Sequence, residues 1–431
     1  MKRREFVLAA AALAAVGTSA SSVPAASVSG DKVKVLIAGA GAAGLTIASQ
    51  VRRRLPNASI TIFDARKQHY FQPGYTLVGA GWWDPSQVID TTREYIPRDV
   101  NWVEQNIAEF DPDAKMVVTS TGVKHAYDWL FVTTGLSLDY TAIEGMHPSL
   151  IGQQGIASIY AGPEAAAVSA RAIDRFIESG GVGLFGRPAT EMKCAGAPLK
   201  MTFITDDKAR RAGRRSSIKL HYMAHNQALF AINPVNDKVK QLFEQRDITP
   251  FYGHVLTAID PGSRRATFRT PSGMVTRDYD LIHVIPPMRA PLAVRNSPLA
   301  WRQGPMAADG WIEVDPATMR SKRYPNVFAV GDVAGVPRGK TAASVKWQAP
   351  VAVDHMVAAV QGKTSPRIYN GYTSCPMVTK LGAAMLIEFD YEGKLVQSFP
   401  FIDPLKELWV SWMIEEKALR GTYRAMLRGY A

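Results

Sequence analysis

Two cysteines stand in 431 residues, Cys194 in "EMKCAGAPLK" and Cys375 in "GYTSCPMVTK". Both lie in stretches punctuated by Gly and Pro rather than in an apolar run. The commoner fate of a cysteine is to pack as a small hydrophobe. The other is exchange chemistry, in which a thiolate attacks or leaves a disulfide. Two cysteines make no disulfide framework, but they suffice for one bridge. A second chemical signature lies in "DKVKVLIAGAGAAGLTIASQVRRRL", where Gly39, Gly41 and Gly44 have G-x-G-x-x-G spacing. They fall between a strand-like "VKVLIA" and a helix-like "AGLTIASQVRRRL". There Gly39 permits a tight turn, Gly41 lets a pyrophosphate approach the backbone, and Gly44 allows close helix–strand packing. The helix start at Ala42 and Ala43 offers N–H groups to phosphates. Asp64 follows Gly44 by 20 residues at the end of a second strand, "ASITIFDAR", where a carboxylate binds a ribose hydroxyl.

The elements that position these groups need more than one core. A chain of 431 residues, 47% apolar and 20% charged, suggests two or three domains. Its formal charge of +12, from 50 basic against 38 acidic residues, suits an anionic membrane surface or an acidic protein partner. No zinc-finger spacing, heptad-bearing basic helix or RRM signature accompanies that charge, so no nucleic acid partner is expected. Residues 1–30 read as an export signal and linker. Arg3 and Arg4, followed by Glu5, Phe6 and Val7, resemble the twin-arginine pattern of bacterial export, a route for proteins already folded around a cofactor. The apolar run from Phe6 to Val16 falls short of the roughly 20 residues of a membrane span, and candidate cleavage points follow Ala20 and Ala25. No transmembrane helix is expected elsewhere. His221 and His225 in "LHYMAH" would have metal-like spacing on a helix; the stretch reads as a strand, and no metal is expected. Near the C-terminus, Leu405, Leu408, Trp409 and Trp412 have helical spacing, and Arg420, Arg424 and Arg428 recur every four residues. That suits a helix lying in a membrane interface, or one that merely covers the core.

Two later stretches bear on which dinucleotide binds. "YDWLFVTTG" ends a strand in Thr134 and Gly135, and "YPNVFAVGDVAG" runs into Gly331 and Asp332. With the glycine fingerprint, these resemble the three motifs of flavoproteins with two dinucleotide-binding domains, the glutathione-reductase-like fold. The resemblance implies an α/β protein with two Rossmann-like domains and non-covalent FAD, the Asp332 carboxylate meeting the ribityl or phosphate region. It also places Lys346, on the helix that starts near Thr341 and Ala342, beside the flavin. The expected organisation is an FAD-binding domain over 31–159 and 298–365, a second dinucleotide-like domain over 160–297, and a C-terminal domain with amphipathic helices over 366–431. The second domain departs from the pyridine-nucleotide pattern. After Gly186 come Arg187, Pro188, Ala189 and Thr190, then Cys194, with no glycine where a second pyrophosphate would need one. The electron donor is therefore not expected to be a nicotinamide.

"MKCAGAPLK" and "YNGYTSCPMVTK", together with "HYFQPGYTLVGAG" and "LIEFDYEGKLVQSFPF", resemble the mitochondrial-type branch of the sulfide:quinone oxidoreductases from residue 33 onward. The chain departs from that family with Asp64 in place of the usual Glu, with an export-like start, and with an end soon after "MLRGYA". The flavoprotein subunit of flavocytochrome c sulfide dehydrogenase is a periplasmic relative. The resemblance implies FAD-dependent oxidation of sulfide through a Cys194–Cys375 redox pair, with electrons passed to a membrane quinone. It makes Cys194 the flavin-proximal thiol and Cys375 the carrier of sulfane sulfur, which leaves on an acceptor such as sulfide, sulfite, glutathione or cyanide. Lys193 beside Cys194, and Lys380 beyond Cys375, are expected to favour the thiolates. The enzyme is expected on the periplasmic membrane face. The competing expectations are electron delivery to a c-type cytochrome, and a non-catalytic redox-sensing or electron-carrying flavoprotein.

Overall fold

"KVLIA" has no polar side to turn to solvent, the pattern of a parallel strand covered on both faces. In the computed structural model, which describes residues 33–430, this strand, Lys34–Ala38, is the centre of a five-stranded parallel sheet. The export-like segment lies outside the described residues. Ser59–Phe63 and Val100–Val103 follow on one side, Trp129–Val132 and Val327–Ala329 on the other. The helix Ala42–Arg54 makes the first crossover. Phe131 and Phe328, on adjacent strands, stack at 5.3 Å.

The chain leaves this sheet after Val132 and returns to it at Val327. Between them a second five-stranded parallel sheet forms, in the order Ile156–Ala157, Leu281–His283, Gly181–Gly186, Ile218–Met223, Ile248–Phe251. The helices Pro163–Ser179 and Ala197–Arg211 make its first two crossovers in chain order. Each large sheet carries a three-stranded antiparallel flap. A C-terminal hairpin, Thr373–Lys380 with Ala383–Phe389, pairs Cys375 with Ile387, and the helix Ala197–Arg211 packs on its first strand.

The last helix differs from the sequence expectation in extent and in orientation. It begins at Trp409, so Leu405 and Leu408 precede it, and Leu408 bridges to Ala384 of the hairpin instead. It runs through a π-turn, Ile414–Ala418, into Leu419–Leu427. Its arginines do not form an outward basic stripe. Arg420 and Arg424 both bind the carboxylate of Asp90, whose side chain is 7% exposed, and Arg428 lies 4.7 Å from the centre of the Tyr95 ring. A buried carboxylate rewards two cations more than open solvent does. Ser49 Oγ adds a bond to the Leu427 carbonyl at 2.8 Å, so the helix is fastened to the first domain. Among the described residues no helix is long and apolar enough to cross a membrane.

Asp90→Asn leaves two guanidinium groups without their anion. We expect a loss of about 1–3 kcal/mol in urea unfolding, with trypsin cutting the C-terminal helix first. An unchanged urea midpoint would mean the pairs contribute nothing to docking.

Candidate active site

The glycine turn builds one end of a large cavity. Gly39 has φ +111°, and a Cβ there would lie 2.5 Å from the Thr133 carbonyl. A Cβ on Gly44 would lie 1.8 Å from the Gly39 oxygen, so helix and turn touch backbone to backbone. Gly41 is the reverse case: a Cβ there meets nothing within 4 Å, and its backbone faces the cavity with Ala42 and Ala43. No side chain caps that helix, which leaves its first N–H groups for a ligand. Asp64 lines the same wall; it accepts from the Ala40 N–H at 2.9 Å and is paired with Arg66.

Thr134, Gly135, Gly331, Asp332 and Lys346 line the cavity too, so every cofactor residue expected from the sequence except the structural Gly39 and Gly44 borders one space of about 1340 Å³. Burial pushes the Asp332 carboxyl up, against the pull of Lys193 and Lys340. Thr341 caps the helix Ala342–Val360 by accepting from Ser344 N–H at 3.1 Å, and its hydroxyl also meets Thr373 at 2.8 Å, on the strand of Cys375. Three observations fit FAD: the open Gly41 backbone at a helix start, the buried Thr134 hydroxyl with no partner, and a cavity larger than a typical small-ligand pocket.

The same cavity holds both cysteines. Cys194 lies on the loop between the strand Gly181–Gly186 and the helix Ala197–Arg211, with φ +47°, a left-handed conformation a non-glycine residue adopts only when its surroundings impose it. Those surroundings are specific. Its N–H donates to the Lys340 carbonyl at 3.0 Å, and its carbonyl accepts from Ala197 N–H at 2.9 Å and Tyr160 OH at 3.1 Å. Cys375 arrives from the hairpin. A Cβ on Gly196 would lie 2.5 Å from its sulfur, so only glycine lets that sulfur reach the Cys194 loop.

Lys193 does not serve Cys194 as expected; its ammonium donates to Gln72 Oε1 at 2.7 Å. Lys380 is exposed at the end of the hairpin. The cation at the sulfurs is Lys200, one turn into the helix and 2% exposed, with Glu415 Oε1 3.7 Å from its Nζ. Contact with the Cys375 thiol, helped by Lys200 and the Ala197 N–H and opposed by burial, lowers the Cys194 pKa to about 6. The same contact, together with burial, pushes the Cys375 thiol well up. Burial works against the Lys200 ammonium, but Cys194 and Glu415 outweigh it and hold the proton on. Burial raises the Glu415 carboxyl to about 7; Lys200 pulls it down and Cys194 pushes it up. The arrangement is one reactive thiolate, one protonated partner thiol and one dry counter-charge.

Only the thiolate alkylates, so reactivity rises with pH through the thiol's pKa. In the reduced protein, iodoacetamide should modify Cys194 with a midpoint near pH 6. Lys200→Met should move that midpoint up toward the ordinary value of about 8.5. An unmoved midpoint would remove Lys200 from the account.

Comparison with known proteins places the fold and the family. The family model of the pyridine nucleotide-disulphide oxidoreductases matches residues 33–167. The mitochondrial sulfide:quinone oxidoreductase of Dictyostelium discoideum is 33% identical over 401 residues, 92% of this chain and 86% of that protein. Among solved structures, a chain of the Tetrahymena thermophila mitochondrial ATP synthase has a TM-score of 0.81 at 19% identity, covering 94% of this chain and 99% of that one. The sulfide:quinone oxidoreductase of the hyperthermophilic bacterium Aquifex aeolicus has a TM-score of 0.73 at 19% identity, covering 92% of each chain. At such identities the two structures speak for the two-sheet fold alone. The Dictyostelium match, sustained along nearly the whole chain, goes further: this chain belongs to the sulfide:quinone oxidoreductase family.

Proposed function

We propose that this flavoprotein, of a family that oxidises sulfide and reduces quinone, carries out the sulfur half of its reaction on Cys194 and Cys375. One observation supports the reading above others: a single cavity brings together both sulfurs, the buried Lys200 ammonium and the dinucleotide cleft. When the pair is a disulfide, hydrosulfide attacks Cys375. The bond between the cysteines breaks, a new S–S bond forms to the entering sulfur, and Cys194 leaves as a thiolate. Lys200 directs that polarity, because the sulfur whose thiolate is better stabilised leaves faster. FAD held at this cavity would supply a two-electron acceptor able to pass the electrons of sulfide on to quinone. The left-handed Cys194 backbone, fixed by Lys340, Ala197 and Tyr160, keeps the thiolate at the cavity. At the cavity's other wall, Lys346 and the N–H groups of Ala342 and Ala343 stabilise negative charge. The sulfane sulfur leaves Cys375 on a small nucleophile such as sulfide, sulfite, glutathione or cyanide.

Quinone needs an apolar route, and Tyr372, Leu386, Phe399, Ile414 and Leu419 line one wall of the cavity. Beside this wall stand large exposed side chains: Trp347, whose ring meets Tyr372 at 5.5 Å, Phe401, whose ring meets Phe399 at 5.8 Å, and Ile368. We assign these side chains, and exposed Trp409, to peripheral membrane docking. This replaces the arginine stripe as the lipid-facing feature, since Arg420 and Arg424 are drawn to the buried Asp90. The Arg3–Arg4 pattern supports export first, and docking on the periplasmic face.

Cys194→Ser and Cys375→Ser should each keep FAD and lose sulfide-dependent quinone reduction by about a thousandfold; turnover retained in either would sink the cysteine reading, and reduction of a c-type cytochrome in place of quinone would move the acceptor. Exposed apolar side chains contribute about 1.5–3 kcal/mol each when buried. Phe401→Ser with Trp409→Ser should therefore weaken co-sedimentation with anionic vesicles at least about tenfold. Undiminished co-sedimentation would place the membrane contact elsewhere.

A further inference from the structure

Exchange at the cysteine pair leaves one chemical problem that neither cysteine solves. The entering hydrosulfide brings a proton, and the product on Cys375 is a perthiol, an acid, next to a new thiolate. Somewhere in this dry pocket the proton must find a base.

The C-terminal helix is α-helical up to Met413 and again from Leu419, with one π-turn between, and Glu415 lies in that turn. Such a turn re-aims the side chains it carries and recurs at functional sites. The next residue, Glu416, pairs instead with Lys417 at 2.7 Å. Glu415 turns in, is 3% exposed, and lines the cysteine cavity. Its Oε1 is 3.7 Å from Lys200 Nζ, while its Oε2 is buried with no hydrogen-bond partner. An ionised carboxylate oxygen so placed lacks a donor, and a proton is the smallest group that supplies one.

We propose that Glu415 is the terminal proton acceptor for the sulfur chemistry at the Cys194–Cys375 pair, reached through Lys200. The step is redox-neutral. An ammonium proton first passes from Lys200 Nζ to the Glu415 carboxylate, forming the O–H bond, and the perthiol S–H bond then breaks as its proton refills Nζ. Lys200 ends protonated as it began, the perthiol becomes an anion, and the carboxylate becomes a neutral acid. Proton affinity follows the state of the sulfurs. While the pair is a disulfide, the one charge facing Glu415 is Lys200, which holds the carboxylate ionised. Once Cys194 is a thiolate, its negative charge raises the affinity of Glu415 for a proton, in the same step that releases one. The groups that face Glu415 are Lys200 from the helix Ala197–Arg211, Cys194 from the preceding loop and Cys375 from the hairpin. Glu388, on the other hairpin strand, is taken by Tyr372 and Ser398.

The inference rests on the cysteine reading, so the test separates the two. In the FAD-loaded full chain, kcat at saturating sulfide and quinone should fall as the pH drops into the acid range, because Glu415 protonated in advance cannot accept. Glu415→Gln should lose that limb and turn over about 100-fold more slowly at pH 8, with FAD content and Cys194 alkylation retained. Infrared difference spectra on adding sulfide should show a new protonated-carboxyl band in the wild type and none in Glu415→Gln. Glu415→Asp, which keeps the acid, should keep a shifted band and serves if the Gln variant fails to hold FAD. The same pH limb and the same band in Glu415→Gln, or no band in the wild type or in Glu415→Asp, would overturn the proposal. If Cys194→Ser still abolishes turnover, the cysteine reading survives that failure; if it does not, both fall together.

Discussion

An ammonium taken out of water needs anions around it, and Lys200 is such an ammonium. Its partners come from three parts of the chain: the Cys194 thiolate from the preceding loop, Cys375 from the hairpin, and Glu415 from the last helix. Each arrival depends on a separate packing condition. The Cys194 loop needs the Lys340 carbonyl and Tyr160 hydroxyl to hold a left-handed residue. Cys375 needs Gly196. Glu415 needs the C-terminal helix to dock, which is where Asp90 and its two arginines act, further along the same helix. The thiol chemistry is thus tied to the packing of the chain's end.

The fold assigns different work to two similar sheets. Around the strand Lys34–Ala38 the turn is short and the helix starts at once, so backbone N–H groups converge on one point, as a pyrophosphate requires. After the strand Gly181–Gly186 the chain instead wanders through Arg187 and Pro188, and its helix starts only at Ala197. That longer loop reaches toward the first sheet, where Cys194 bonds the Lys340 backbone. A position that holds a nucleotide in other proteins of this architecture here presents a sulfur. Fold alone does not state function; the loop does.

What could be read from the sequence follows how local each requirement is. The glycine turn, the strands "VKVLIA" and "GVGLFG" and the helix over 42–54 answer to patterns within a few residues, and the structure forms them there. The cavity gathers the residues named for the cofactor, Gly39 and Gly44 apart, because they stand close to strand ends or helix starts around one sheet. The meeting of the cysteines is not local; it came through family resemblance. Adjacency pointed to Lys193 as the counter-charge, but the turn at Cys194 sends that side chain to Gln72. The spacing from Ala197 to Lys200, one helical turn, was the signal available. Glu415 had none, because a π-turn leaves no mark in hydrophobic periodicity. The arginines at 420, 424 and 428 did mark a helix face, but periodicity cannot say whether a face meets lipid or Asp90.

We propose that the electrons of sulfide reach the flavin only through these two sulfurs. The most direct test mixes the oxidised holoprotein with sulfide anaerobically, without quinone, and follows flavin absorbance while the cysteine peptides are trapped and weighed. The account predicts bleaching with about one equivalent of sulfide, and one added sulfur atom on the Cys375 peptide. Bleaching with no added sulfur on either cysteine, or a flavin that NADH bleaches and sulfide leaves untouched, would contradict it.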